Sequence, residues 1–316
     1  VQWNNGHFMH QFTYFIGEVN FYYRSQHGEK KVAVMNTGDS MYITPFTPHT
    51  FTTRKGAKQN GLILALTYGS KLTGDIQQEM SALSVSLGSE FALDFSTKQN
   101  ATASLIQFHR EIANLSTDEI SKRTGISKLQ LEEFEKAINT PTMEQIEKIA
   151  HAIGVNVRDL ISNDKIEDKV IVRHHSDGKK WYYPESTKAY QFVDLASTTA
   201  LPYSKAFEVQ VLDSQSKDLD LRAGSHQYVY NVGSTPVILS WEFDGVQHFQ
   251  KLNPDDSVYV KPFVRHNFRG QGKLLILRIG GKISGDPQRE LSFVGKENAK
   301  RAIAETMQWF DPKGKN

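Results

Sequence analysis

Three side chains near the start of the chain have the types and spacing to hold a metal ion. His7 and Gln11 lie in Asn4-Asn5-Gly6-His7-Phe8-Met9-His10-Gln11, and His49 closes Pro45-Phe46-Thr47-Pro48-His49. Two neutral imidazoles and one oxygen donor, drawn from separate strands, can occupy one face of an octahedral cation. Three positions then stay open for substrate and dioxygen. The oxygen in such sets is usually a carboxylate; here it would be an amide. His7 and Gln11 share strand parity, yet four residues of flat strand span about 13 Å at ~3.3 Å per residue, too far for one ion. If both ligate, the chain must bend between them, with Gly6 as the relaxing element. His10 has the opposite parity and is expected to support the site from behind or to face solvent.

The elements that must position these groups are legible through an internal repeat. Residues 36–51, NTGDSMYITPFTPHTF, match residues 253–268, NPDDSVYVKPFVRHNF, at eight of 16 positions, His49 against His266 among them. Residues 69–80 match 280–291 at six of 12, and His10-Gln11 matches His226-Gln227. The repeated unit reads as short strands (Val32–Met35, Leu62–Tyr68, Val237–Phe243, Lys273–Ile279) punctuated by turn formers, as in an antiparallel sandwich or barrel. The abundant aromatics Phe12, Tyr14, Phe15, Phe21, Tyr22 and Tyr23 are expected to fill the interior. In the second copy Ala223 stands at the position of His7. That copy is expected to be a structural partner, the alternative being a rearranged site that uses His226 with His266. His27, His109, His151, His174, His175 and His248 have no converging partners in the pattern and are expected to be solvated or packing residues.

Between the copies, apolar residues from Leu105 through Ile120, Leu131 and Ile149 to Leu160 recur at helical spacing. Ser116-Thr117-Asp118-Glu119 has the form of a capping box, and Gly125 and Gly154 sit where helices end. These some 50 residues resemble a helix-turn-helix domain of the phage-repressor type. Segment 101–161 holds seven Lys/Arg and nine Asp/Glu, and its presumptive recognition helix carries Glu132, Glu133 and Glu135. Phosphate neutralisation supplies most nonspecific DNA affinity, so a structural or substrate-covering role is expected. The expected organisation is 1–80, the C-terminal part of a first β unit; 81–98, a linker; 99–162, the helical domain; 163–186, a linker; 187–292, a second β unit; and 293–316, a C-terminal helix packed on a sheet. Because the loaded segment starts almost at Val1, a further amino-terminal part of the natural protein is expected, carrying site residues of its own.

Composition narrows the chemistry. The 316 residues include no cysteine, which removes disulfides, thiolate metal sites, iron–sulfur clusters and a cysteine nucleophile. With 37 Lys+Arg against 35 Asp+Glu the formal charge is +2, no basis for binding nucleic acid or an anionic membrane. No apolar run approaches the ~18 residues of a bilayer span, so a soluble, cytoplasmic protein is the simplest expectation.

The repeated unit with its late histidine resembles the cupins. Joined to a helix-turn-helix domain, with Asn-x-x-His-x-x-x-(Glu/Gln) and a distant His, the chain is similar to the phosphonate-processing non-haem Fe(II) cupin oxygenases. The fold so implied is mainly β with an α-helical insert: duplicated cupin (double-stranded β-helix) barrels separated by a helix-turn-helix domain. The resemblance implies Fe(II) as cofactor, His7, Gln11 and His49 as its ligands, and Asn4 as a hydrogen-bond donor to a substrate phosphonate. Gln11 in place of a carboxylate, with apolar Ile43 beside the site, points to members that cleave the C–C bond of 2-hydroxyethylphosphonate and release methylphosphonate with bicarbonate or CO2. The alternative within the family is a dioxygenase giving hydroxymethylphosphonate and formate, in which the strand position of Ile43 supplies the carboxylate ligand. A helix-turn-helix regulator with a ligand-sensing cupin is the rival from another class. The partners implied are 2-hydroxyethylphosphonate and O2, with neither DNA nor membrane, and the sequence is compatible with a homo-oligomer.

Overall fold

A computed structural model describes the chain except residues 1, 5, 26, 70–73, 89–91, 163–168, 200, 213–217, 244, 282–284 and 311–316, and except the side chains of 307–310. Parts of the repeat (70–73, 282–284), the start of the expected 163–186 linker and the tail of the expected C-terminal helix therefore lie outside the described residues.

The amino-terminal unit is a two-layered antiparallel β structure. One layer contains β1 (His10–Ile16), β4 (Ser40–Ile43), β6 (Leu62–Tyr68) and β7 (Val170–Arg173) in the order β6-β1-β4-β7. The other contains β2 (Val19–Arg24), β3 (Lys30–Met35) and β5 (His49–Thr53) in the order β3-β2-β5. The carboxy-terminal unit repeats this pairing. β11 (His226–Asn231) takes the place of β1 between β14 (Ser257–Val260) and β16 (Lys273–Ile279), and β12 (Val237–Phe243) lies between β13 (Val246–Leu252) and β15 (His266–Gly270). It adds β10 (Lys205–Val211), β9 (Tyr190–Asp194) and β8 (Lys180–Tyr183) beyond β16, an edge at which β6 has no further strand among the described residues.

β1 shows how the two units are held. Its burial is nearly continuous although its side chains alternate in direction. Phe15 joins Val19, Phe21, Met35, Met41 and Ile43 inside the amino-terminal unit. Phe12 and Tyr14, on the other face, pack instead with Tyr42, Leu195, Ala206, Leu275 and Leu277 in a core shared by both units. The expectation that all these aromatics fill one interior is thus corrected. A strand sandwiched between its own unit and a partner sheet has two apolar faces.

The expected linker 163–186 is also corrected. β7 pairs with β4 of the first unit and β8 with β9 of the second, so this stretch closes both sheets. Four-residue strands flanked by charge leave little periodicity to read. His174 and His175, expected to be solvated or packing, lie at the seam instead. His174 Nδ1 is 3.0 Å from Asp39 Oδ2, and the His175 backbone N–H donates to Asp39 Oδ1 at 2.8 Å. His175 Nε2 is 2.9 Å from Glu208 Oε1, and Tyr14 donates to Glu208 Oε2 at 2.6 Å. Burial presses the Glu208 carboxyl upward, but the Tyr14 hydrogen bond, Lys273 and His175 together hold it below the usual carboxylate range. Burial and that carboxylate drive the Tyr14 phenol well above its ordinary value.

The elements described in the insert are all helical: α1 (Asp75–Ser81) follows β6, then come α2 (Lys98–Ile112), α3 (Thr117–Thr124), α4 (Lys128–Glu135) and α5 (Met143–Ile153). Ser116 caps α3 by accepting from the Glu119 N–H, but the Glu119 carboxylate turns to Arg123 at 2.9 Å. The reciprocal box forms at Thr142–Gln145 instead. Gly125 and Gly154 end α3 and α5 in the left-handed region, φ 73° and 87°, which only glycine adopts without strain. α6 (Asp286–Val294) and α7 (Lys296–Phe310) close the chain. The expected C-terminal helix is present as α7, but it packs mainly on α6, at the end of the expected second β unit, rather than on a sheet. No helix among the described residues is long and apolar enough to cross a membrane.

Candidate metal centre

His7 precedes β1, in the segment that bends through Phe8 and Met9. The bend allows what a flat strand forbids: His7 Nε2 lies 2.6 Å from Gln11 Oε1. Gly6, φ +78°, makes the approach feasible, since a Cβ there would meet the Phe46 backbone carbon at 2.5 Å. The Phe46 N–H donates to the His7 carbonyl at 2.8 Å and docks this segment on the turn before β5. His49 opens β5, and its ring stands edge-on to His7 with centroids 5.3 Å apart. The three expected ligands therefore converge.

The tautomers prepare both rings for a cation. His7 Nδ1 donates to the Met9 carbonyl at 2.7 Å and His49 Nδ1 to the Thr47 carbonyl at 2.9 Å. With Nδ1 so engaged, Nε2 is the nitrogen of each ring whose lone pair can take a cation. Burial, partly opposed by the Thr47 carbonyl and aided by His7, lowers the pKa of His49 and keeps that lone pair available. His7 Nε2 and Gln11 Oε1, 2.6 Å apart, are close enough to serve as neighbouring donors to one ion. The Gln11 amide nitrogen donates to Thr13 Oγ1 at 2.9 Å, which leaves its oxygen for the ion. The donor set fits a non-haem Fe(II) centre.

Ile43 lies directly opposite Gln11 in the β1–β4 register and is fully buried. Among the described residues no group of three His, Cys, Asp or Glu is placed to hold a metal, so Gln11 is the oxygen donor these histidines find. Asn4 Oδ1 accepts from the Gly6 N–H at 3.0 Å and the His49 N–H at 3.1 Å. Its oxygen thus staples the bent segment to β5, a positioning role the sequence reading missed. Asn-x-Gly, the common signature of an Asx turn, was the signal. His10 faces the seam as its parity requires, stacked on Tyr42 and Tyr68 with Nδ1 2.7 Å from the Tyr42 hydroxyl.

The carboxy-terminal unit lacks this convergence. The Phe263 N–H donates to the Ala223 carbonyl at 2.7 Å, which places Ala223 where His7 stands. Arg278 Nε donates to Gln227 Oε1 at 2.9 Å, putting a permanent cation beside His266. The alternative of His226 with His266 is not built: His226 stacks on Tyr259 and hydrogen-bonds its hydroxyl, as His10 does with Tyr42.

Residues 106–160 match a helix-turn-helix family model. The whole chain is 62% identical over 316 residues to the methylphosphonate synthase of Nitrosopumilus maritimus (strain SCM1), spanning 69% of that protein. It is 25% identical over 268 residues to the 2-hydroxyethylphosphonate dioxygenase of Streptomyces viridochromogenes, covering 81% of this chain and 57% of that one. Among solved structures, Streptomyces albus HEPD with 2-hydroxyethylphosphonate and Fe(II) bound superposes with a TM-score of 0.86 at 32% identity. That match covers 96% of this chain and 68% of the other. A metal-ready His–His–Gln cluster on this scaffold, with such identity along its full length, places the chain in the methylphosphonate synthase family.

Proposed function

We propose that this chain catalyses the O2-dependent cleavage of the C–C bond of 2-hydroxyethylphosphonate, giving methylphosphonate and bicarbonate or CO2, with Fe(II) held by His7, Gln11 and His49. The observation that carries the reading is the neutral donor set: Gln11 Oε1 faces His7, and its register partner is the apolar Ile43 rather than a carboxylate. When bound, Fe(II) supplies a redox-active Lewis acid with open positions for substrate and O2. Two imidazoles and an amide leave the site's positive charge undiminished, so a dianionic phosphonate is attracted more strongly than it would be beside a carboxylate. Asn4 spends its oxygen on backbone N–H groups and keeps its Nδ2 to donate to a phosphonate oxygen. Phe21 and Phe51 pack beside the His49 ring and exclude water from that side. One O2 with 2-hydroxyethylphosphonate balances as methylphosphonate, CO2 and water, so every electron comes from substrate and no flavin, nicotinamide or 2-oxoglutarate is required.

The repeated strand pairing supports reading both β units as cupin barrels, the carboxy-terminal one being non-catalytic. The helix-turn-helix domain is read as structural rather than DNA-binding. On its recognition helix α4, Lys128 pairs with Asp118 at 3.2 Å and Glu135 is forked to Arg110 at 2.6 and 2.9 Å. Little free positive charge remains there for phosphate.

Anaerobic reconstitution with Fe(II), followed by O2 and 2-hydroxyethylphosphonate, tests the function by phosphorus NMR. A methylphosphonate signal is expected; hydroxymethylphosphonate alone would overturn the reading. Gln11→Glu is expected to shift the product ratio toward hydroxymethylphosphonate, and an unchanged ratio would remove donor charge as a determinant.

A further inference from the structure

A glutamine amide has two unlike ends, and only the oxygen can ligate a cation. Which end faces the histidines therefore decides whether the cluster can be a metal site at all. The chain contains the same glutamine twice, in two orientations. In the amino-terminal unit Gln11 turns its oxygen to His7 and its nitrogen to Thr13. In the carboxy-terminal unit Gln227 turns its oxygen to Arg278, and its nitrogen lies 3.4 Å from His266 Nε2.

Two neighbours differ between the copies. Two residues beyond the glutamine, on the same face of its strand, stands Thr13 in β1 and Val229 in β11. Opposite the glutamine on the next strand stands Thr67 in β6 and Arg278 in β16. Gln11 is almost wholly buried and Thr13 is 0% exposed, so an amide nitrogen turned away from the ion has no water to bond. Thr13 Oγ1 is the acceptor that receives it. Donation to Thr13 also draws electron density toward the amide oxygen and strengthens an otherwise weak neutral ligand. Val229 offers no acceptor, and the guanidinium of Arg278 claims the oxygen.

We propose that Thr13 is a positioning residue that holds the Gln11 amide with its oxygen toward the metal, and that the pair Thr13/Thr67 against Val229/Arg278 separates the metal-binding unit from the inert one. The inference rests on the metal-centre reading and concerns how its weakest ligand is aimed. Partners that orient metal ligands are worth 10- to 100-fold in metal affinity.

The test is anaerobic titration of the whole chain with Co(II), read by its d–d absorption and by chelator competition. Thr13→Val is expected to bind Co(II) about 10- to 100-fold more weakly with an altered absorption band, and Thr13→Ser, which restores the hydroxyl, to stay within about threefold of wild type. Thr67 is exposed, so Thr67→Arg keeps the test open should Thr13→Val fold poorly. It is expected to capture the Gln11 oxygen and weaken Co(II) at least about tenfold. Wild-type affinity in Thr13→Val, or equal weakening in Thr13→Ser and Thr13→Val, overturns the inference and leaves the metal centre standing. A wild-type chain without Co(II) uptake, or uptake that survives His49→Ala, overturns the metal centre and the inference with it.

Discussion

The two β units are one plan carried to different ends. Their turns agree down to the backbone. The Asn36 and Asn253 N–H groups donate to Asp39 and Asp256 at 2.8 and 2.7 Å, and Phe46 and Phe263 both sit at positive φ, 60° and 65°. His49 and His266 each fix their tautomer on the carbonyl two residues earlier, at 2.9 Å in both. The late histidine is thus presented identically, and what differs is what stands beside it. A missing imidazole (Ala223), a missing acceptor (Val229) and an added cation (Arg278) stand together where the metal cradle has His7, Thr13 and Thr67. Most of the repeated motif therefore builds the turn that aims the histidine, and the chemistry rests on a few positions around it.

The largest expected effect is the one that would break this comparison outright. His49→Ala should weaken Fe(II) retention by more than about 100-fold, because it removes one of three protein ligands. His266→Ala should leave the bound-iron stoichiometry of the purified chain at the wild-type value. Metal analysis after anaerobic loading and gel filtration checks both, and the reverse pattern would mean that the two units have been assigned in the wrong order.

A second difference lies at the seam. β10 has no counterpart in the amino-terminal unit among the described residues, and its Glu208 gathers Tyr14, His175 and Lys273 from three other segments. Removing one member of a buried, paired charge network leaves the rest uncompensated, so Glu208→Ala should lower unfolding free energy by about 3 kcal/mol. Tyr14→Phe should cost about 1–2 kcal/mol. Urea unfolding measures both, and a Glu208→Ala chain as stable as wild type would show that the apolar seam alone joins the units.

The repeat made the duplication readable, because turns built on Asn, Asp, Gly and Pro keep their residue types when strands drift. Convergence of His7 and Gln11 was legible only as a condition, that the strand bend, and Gly6 was the one residue marking where. The orientation of Gln11 was not legible: it depends on Thr13 and on Thr67 across a strand pair whose register no local pattern states. Nor was the role of His174 and His175, whose partners Asp39 and Glu208 lie 135 and 33 residues away in the chain. Helical periodicity was a fair guide to the insert, yet Ile112, Leu129 and Ile138 fit it and stand exposed. A period marks a face; it does not say whether the domain has anything to set against it.

The last expected effect sharpens the comparison from the side of the unit without metal. His266 is 1% exposed, and burial, opposed by the Val264 carbonyl and reinforced by Arg278, pulls its pKa down to about 4. An unfolded chain takes up this proton near the ordinary value of 6.5, whereas the folded chain refuses it until about pH 4. The unfolded state therefore binds more protons across that window, so stability is full above about pH 6.5 and is lost as pH falls toward 4. By pH 5 the loss is about 2 kcal/mol, at 1.36 kcal/mol per unit over about 1.5 units. His266→Gln should remove this share, so its stability difference between pH 7.5 and pH 5 should be about 2 kcal/mol smaller than that of the wild type. Urea midpoints at the two pH values measure it. Equal acid losses in both proteins would mean that His266 is not held neutral, and with that the contrast between a cation-filled unit and a metal-ready one would lose its electrostatic basis.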